Sequence, residues 1–252
     1  METFFRPTIF KNIPQLIAAQ STRHGGVSPA PYHSLNLGKN TADQPENIVE
    51  NKRRFCAALG FAPDRLAWSN QVHGADIRFV TAPGGAEGFD ALITDTPDVV
   101  LAVSVADCTP VLVCDSKNRA VAAIHAGWRG AAAGIVGKTL QAMAQQFGTK
   151  GSDCQAFVGT CIDECSFEVG PEVAAEFAEA YKRFDAGRGK FFVDLKKVCA
   201  QQLLDFGLSE NQIELSPFST VLHNNNYFSH RKEGGITGRM LAVIGWQKTA
   251  GK

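Results

Sequence analysis

Between residues 90 and 127 the chain strings together nearly uninterrupted apolar runs: "DALIT", then "VVLAVSVADCTPVLVCD", then "AVAAIHAG". Valine-rich runs of this length, cut by acidic, proline or glycine turns, read as buried strands, and buried strands need other elements to cover them. The covering helices are visible. "NIVENKRRFCAALG" puts Ile48, Phe55 and Leu59 on one face, with Gly60 suited to the C-terminal stop. "AAAGIVGKTLQAMAQQFG" reads as one helix despite the cost of Gly134 and Gly137. "PEVAAEFAEAYKRF" starts a third helix, with proline near its first turn. "FFVDLKKVCAQQLLDFG" reads as a fourth, with Asp194 as N-cap.

Elsewhere "PQLIAAQSTR" is a short strand entering a glycine- and proline-rich loop, and "LAWSNQVHGADIRFV" gives two extended pieces around His73-Gly74. "QAFVGTCIDECSFEVG" is strand and loop, and the tail "NNNYFSHRKEGGITGRMLAVIGW" is a loop closing on a strand. Strands and helices joined by short connections predict an α+β (layered α/β) architecture of mixed β-sheets flanked by helices. No repeat or low-complexity linker divides the sequence, so residues 1–252 are expected to form a single domain.

Charge removes some function classes. Lys+Arg and Asp+Glu balance at 25 each, which leaves no global field to draw nucleic acid or an anionic membrane. Nothing reaches the roughly 18 apolar residues of a membrane span, and Arg6, Lys11 and two prolines break up the N-terminus as a signal peptide. A cytoplasmic protein is expected. Seven cysteines, an odd number with no CxxC pair, fit a reducing compartment and a mostly structural use, so a functional cysteine must be picked out by its neighbours.

Three segments repeat one design, in which an apolar strand ends, a potential ligand appears and the chain turns. They are "NQVHG" with His73, "SVADC" with Cys108 and "AAIHAG" with His125. Ligands at strand ends can converge from distant positions while packed strands fix them. One sulfur and two nitrogens would give a zinc ion three protein ligands and an open fourth position, the catalytic rather than the structural arrangement. The same residues also allow a Cys–His nucleophilic pair, or plain structural roles, and spacing alone does not choose among these. Cys114 reads as core.

After His125, Gly127 and Gly130 permit a tight turn, and Arg129 sits where the next helix begins. A helix start with an arginine is a candidate anion site. Alternatively, Arg129 braces the fold through a carboxylate such as Asp107. Arg23 is a second candidate for an anion, and Arg231 and Arg239 are either ligands or solvent-facing. No Walker A loop or GxGxxG fingerprint is present.

Taken in order, "TRHGGVSPAPYHSLNLG", "NQVHGADI", "DALIT", "VSVADCTPVLVCD", "AAIHAGWRG", "CSFEVG" and "FSHRKEGGITGR" resemble the bacterial YfiH family from about Arg23 to Met240. Its members are described as laccase-domain or multicopper polyphenol oxidases, purine nucleoside phosphorylases and peptidoglycan editing factors. The resemblance implies a CNF1/YfiH-like fold and a zinc ion on His73, Cys108 and His125. From the motifs, Asn36, Ser229 and Arg231 join Arg23 and Asp107 as candidate substrate contacts, and Arg129 joins the trio as a candidate catalytic residue. The chain departs from the family at Ser219-Thr220, where members often carry Cys-Thr.

Chemistry orders the family's activities. A multicopper oxidase needs many nitrogen ligands, and six histidines with two near a shared site do not supply them, although a single copper suits the trio. Phosphorolysis of inosine, adenosine or methylthioadenosine needs an anion cradle that can stabilise charge developing on the sugar. Adenosine deamination would use a zinc-activated water but needs a general acid/base, and with no Glu beside any ligand, Asp76 or Asp107 would have to serve. A metal-free Cys108–His125 hydrolase, or a non-catalytic binding factor, acting on cell-wall intermediates is the alternative. The expected partners are a nucleoside and phosphate, and the chain a monomer or homodimer.

Overall fold

The computed structural model describes residues 2–248. Two six-stranded sheets face each other. The first runs, in spatial order, Phe4–Phe5, Leu16–Ser21, Met240–Trp246, Val100–Val105, Leu66–Asn70 and Gly84–Glu87. The second runs Ile213–Leu215, Cys154–Val158, Thr109–Asp115, Ala120–Ala126, Ala91–Thr94 and Ile77–Phe79. Both mix parallel and antiparallel pairs. A three-stranded sheet of Glu168–Val169, Lys190–Val193 and Lys182–Asp185 stands apart from them.

The apolar runs are continuous because both faces of the strands are covered. In Val100–Val105, Leu101 and Val103 pack between the sheets, while Val100 and Ala102 face Phe55, Cys56 and Leu59 of the helix Pro45–Leu59. In the second sheet Leu112, Cys114, Val121 and Ala123 turn inward. Val111, Val113, Ala122 and Ile124 meet Ile135, Leu140 and Met143 of the helix Ile135–Phe147, and Val198 and Leu203 of the helix Leu195–Asp205. The layers are therefore helix, sheet, sheet and helix, which matches the expected mixed sheets flanked by helices. Cys114 is core, as its pattern indicated.

Three expected elements differ. The helix after His125 is two: Trp128–Ala132 stops, Gly134 takes a left-handed φ of +77°, and Ile135–Phe147 starts again. That conformation is open to glycine at little cost, so Gly134 acts as a break. "PEVAAEFAEAYKRF" is α-helical only over Pro171–Ala174, has a 3-10 turn at Glu179–Tyr181, and its end pairs as the strand Lys182–Asp185. Phe191–Val193 belongs to a strand, and the helix starts only after Asp194, whose carboxylate accepts the Lys197 amide as its N-cap.

Between the sheets the chain crosses repeatedly at one end. Residues 71–76 lead from Leu66–Asn70 to Ile77–Phe79, residues 88–90 from Gly84–Glu87 to Ala91–Thr94, and residues 106–108 from Val100–Val105 to Thr109–Asp115. The strand Ala120–Ala126 carries His125 near its end and hands over to the helix Trp128–Ala132. Three first-to-second-sheet crossovers and one strand end thus frame the site.

Candidate metal centre and adjoining cavity

His73 and Cys108 ride on two of the crossovers and His125 on the strand end, and their ligand atoms all lie within 4.8 Å of one another. Three donors on one tetrahedral zinc would be roughly 3.3–3.8 Å apart given bonds of about 2.0–2.3 Å, so a small inward shift closes the trio on an ion. The rings of His73 and His125 meet edge to face at 4.9 Å. His125 is buried, Cys108 half-buried and His73 exposed, which leaves the open side of the trio toward solvent and the cavity.

Gly127 exists for this approach. A Cβ there would stand 3.0 Å from His73 Cδ2 and 3.3 Å from Cys108 Sγ. Gly130 answers a different crowding, since its Cβ would be 2.7 Å from the Gly74 carbonyl oxygen. The two glycines thus seat the short helix Trp128–Ala132 against the His73 crossover.

Asp90, on the third crossover, organises the centre and was not singled out from sequence. It is fully buried. One carboxylate oxygen accepts the His73 amide at 3.0 Å and lies 2.7 Å from His125 Nδ1, and the other accepts the amides of Val72 at 3.2 Å and Gly74 at 2.8 Å. His73 itself has a φ of +60°, and the three amide bonds hold that left-handed turn. With Nδ1 turned to Asp90, His125 presents Nε2 to the trio, the usual way a carboxylate fixes a ligating imidazole. The only sequence signal was an aspartate at the head of "DALIT", which is indistinguishable from an ordinary turn residue.

The trio is electrostatically coupled. Burial would push the Cys108 thiol up, but the imidazoles of His125 and His73 outweigh it and bring the thiol down to about 6. Burial would likewise lower His125, but the Cys108 thiolate and the Asp90 carboxylate raise it to about 9. Burial works against ionisation of Asp90 too, and its bonds to His125, Gly74 and Val72 hold it below the ordinary carboxylate value. A thiolate beside a protonated imidazole is the state from which a metal ion displaces a proton.

The trio opens on a cavity of about 560 Å³ lined by both halves of the fold, within the roughly 300–1,000 Å³ of small-molecule sites. Near the trio its wall includes Trp128, Arg129, Phe167, His230 and Arg231. Arg129 lies over the Trp128 ring at 4.2 Å, and among the described residues no carboxylate pairs with it. The brace to Asp107 is therefore absent. Because Trp128–Ala132 is only five residues long, the anion site rests on the Arg129 guanidinium and not on a helix dipole.

The remaining candidates divide. Asp107 lines the cavity with a φ of +91°, but its carboxylate is engaged by Thr220 Oγ1 at 2.5 Å, Ser229 Oγ at 2.7 Å and the Arg231 amide at 2.6 Å. That gives Thr220 a clear structural role, while Ser219 donates to Asp163. Arg231 lines the cavity, with its guanidinium donating to the Ser166 and Glu168 carbonyls. Ser229 is buried beneath Asp107. Arg23 does not reach the cavity wall. Its guanidinium pairs with Glu233, donates to the His33 and Asn224 carbonyls and covers the Phe228 ring. Asn36 is also internal, with its amide on Thr41 and Asp43 and its oxygen accepting the Gly38 and Arg239 amides. Asp76 is not among the lining residues.

Fold and site define a mixed α/β protein with a His–Cys–His trio able to hold a metal at one end of a small-molecule cavity. The family described as multi-copper polyphenol oxidoreductase laccase matches residues 17–247, and the chain belongs to that family, with YfiH proteins among its relatives. It is 39% identical to the purine nucleoside phosphorylase YfiH of Shigella flexneri, covering 92% of this chain and 95% of that one. It is 36% identical to a purine nucleoside phosphorylase of Bacteroides thetaiotaomicron, over 93% and 92%. The crystal structure of YlmD from Geobacillus stearothermophilus superposes with a TM-score of 0.91 at 32% identity, covering 98% of this chain and 97% of that one. No helix among the described residues is long and apolar enough to cross a membrane.

Proposed function

We propose that the chain is a zinc-dependent purine nucleoside phosphorylase, cleaving inosine, adenosine or methylthioadenosine with inorganic phosphate. The observation that carries this reading is the continuity of one cavity from the His73–Cys108–His125 trio to Arg129 and Arg231, together with the names of its relatives.

His73, Cys108 and His125 would hold the ion, which supplies a Lewis-acidic centre that polarises an oxygen brought to it. Copper would use the same donors. Arg129, which pairs with no carboxylate among the described residues, would bind phosphate, and the Arg231 guanidinium would extend the same positive wall. An anion bound there stabilises the positive charge that develops on the sugar as the glycosidic bond breaks. Trp128 and Phe167 line the same part of the cavity and would offer apolar surface to a purine. Adenosine deamination has less support, because Asp76 lies off the cavity and Asp107 already accepts three hydrogen bonds.

One observation favours a second reading. Cys108, His125 and Asp90 also form a thiol–imidazole–carboxylate series with a lowered thiol, the requirement for a cysteine hydrolase acting on peptidoglycan precursors or muropeptides. Incubation with inosine separates the two. Phosphorolysis predicts hypoxanthine and ribose 1-phosphate, with a rate that saturates in phosphate, and Arg129→Ala raising the KM for phosphate about tenfold or more. No hypoxanthine release at high enzyme concentration, with zinc supplied and phosphate varied, would rule out the phosphorylase.

A further inference from the structure

The cavity extends beyond the parts that phosphorolysis uses. Its far wall carries Lys39, Lys52 and Trp68, and among the described residues no carboxylate lines that end. Lys39 lies with Nζ 4.4 Å from the Trp68 ring centre. On its other side Trp68 is held by Gly85, where a Cβ would come within 2.6 Å of the indole. Arg239 stands nearer the trio, since its neighbour Met240 pairs with Val105 and the charges of Asp107 and Cys108 act on its guanidinium, and it packs on Gly38 so closely that a Cβ there would meet its Cγ at 2.5 Å. Its guanidinium donates to the Thr237 and Gly238 carbonyls.

Lys52 comes from the helix Pro45–Leu59 and is half-buried. Burial and the neighbouring Lys39 charge both press its ammonium toward losing its proton. Among the described residues neither lysine has a carboxylate partner. Two ammonium groups on one cavity wall repel one another, and a ligand anion relieves that repulsion.

This wall is too far from the trio to hold the attacking phosphate. Ala67 pairs with Leu101, which sets Trp68 level with Ala102, while Gln71 hydrogen-bonds Ser104 nearer the trio. The stretch from Ala102 to the end of its strand at Val105, before the Cys108 crossover, spans about 10 Å at 3.4 Å per residue. An attacking oxygen must stand within about 3–3.5 Å of the reacting carbon. If that carbon lies at the trio, an anion on the far wall must belong to the substrate itself. A ribose and its 5′ substituent bridge such a gap once the long lysine side chains reach in.

The geometry points to a phosphoryl-binding subsite formed by Lys39 and Lys52 beside Trp68, so that the cavity accepts purine nucleoside 5′-monophosphates and binds them more tightly than nucleosides. This inference rests on the reading of the cavity as a purine site.

Calorimetric titration of the zinc-loaded protein with inosine, inosine 5′-monophosphate and inorganic phosphate, each alone, tests it. Inosine 5′-monophosphate is expected to bind about tenfold tighter than inosine, as for a charge-assisted contact. Combining Lys39→Ala with Lys52→Gln is expected to erase that preference while leaving inosine affinity unchanged within twofold. Equal affinity of the two ligands for the unaltered protein overturns the inference, as does equal weakening of both in the variant. Loss of inorganic phosphate binding in the variant with the nucleotide preference intact would make this the co-substrate site, and also overturns it. If the preference appears and the variant erases it but inosine is never cleaved, the subsite stands and the phosphorylase reading falls. If neither inosine nor its monophosphate binds, both fall together.

Discussion

Replacing Asp90 with asparagine removes one charge and one acceptor from the centre with almost no change of volume. Each carboxylate oxygen accepts two contacts, one pair from His73 N and His125 Nδ1 and the other from Val72 N and Gly74 N. An amide must turn its NH2 toward one of these pairs. Turned toward Val72 and Gly74, it leaves two backbone donors facing a third, at about 1–3 kcal/mol for each unsatisfied buried group. Turned toward His125, it forces the imidazole to present a lone pair at Nδ1 and carry its proton at Nε2, where the ion must bind. The first outcome predicts a loss of about 3 kcal/mol of stability, or about 6–12 °C in Tm for a chain of this size. Either predicts zinc affinity lower by about 10–100-fold. Thermal unfolding of the metal-free protein and a competitive zinc titration measure the two separately. An Asp90→Asn protein with unchanged Tm and zinc affinity within threefold of the original would refute the role given to Asp90.

Three further outcomes are expected. Gly127→Ala should weaken zinc binding about tenfold or more by crowding His73 and Cys108, while Gly134→Ala should leave zinc binding alone and cost about 1 kcal/mol in unfolding for its left-handed φ; an equal zinc effect from both would count against the crowding argument. His73→Ala and His125→Ala should abolish turnover with the circular-dichroism spectrum retained, and global unfolding of both would make the trio structural. In the metal-free protein, His125 is raised to about 9, so its contribution is complete below its unfolded value near 6.5 and is lost as pH climbs through about 9. Cys108 is lowered to about 6, so its contribution is complete above its unfolded value near 9.0 and is lost as pH falls through about 6. From about pH 6.5 to 9 the first contribution falls as the second rises, so their sum is nearly level; the denaturant midpoint should change little with pH across that window, and a steep rise or fall there would contradict the pairing.

The trio was legible because each ligand interrupts an apolar strand, and interruptions in an otherwise continuous pattern stand out. The layers were legible for the same reason, since Val100–Val105 and Ala120–Ala126 are apolar on both faces and demand helices outside. Asp90 was invisible because its function lies in contacts with residues 72–74 and 125, which no local pattern records. Arg23 and Asn36 were marked by their motifs, yet the structure spends them on Glu233, Asp43 and backbone groups, the satisfaction any buried polar group requires. Lys39 and Lys52 passed unnoticed because a lysine on a helix or a loop reads as solvent-facing until a cavity appears beside it. Where helices were overextended, at Gly134 and across Glu176–Lys182, local propensity yielded to a left-handed glycine and to strand pairing with Lys190–Val193.

The central claim is that His73, Cys108 and His125 hold one catalytic metal ion. Metal-stripped protein titrated with zinc, with hypoxanthine release from inosine and phosphate followed at each addition, tests it most directly. Turnover should rise from near zero and level off at one equivalent per chain, and Cys108→Ala should retain no stoichiometric zinc. Full turnover in the stripped protein, or a full equivalent of zinc kept by Cys108→Ala, would contradict it.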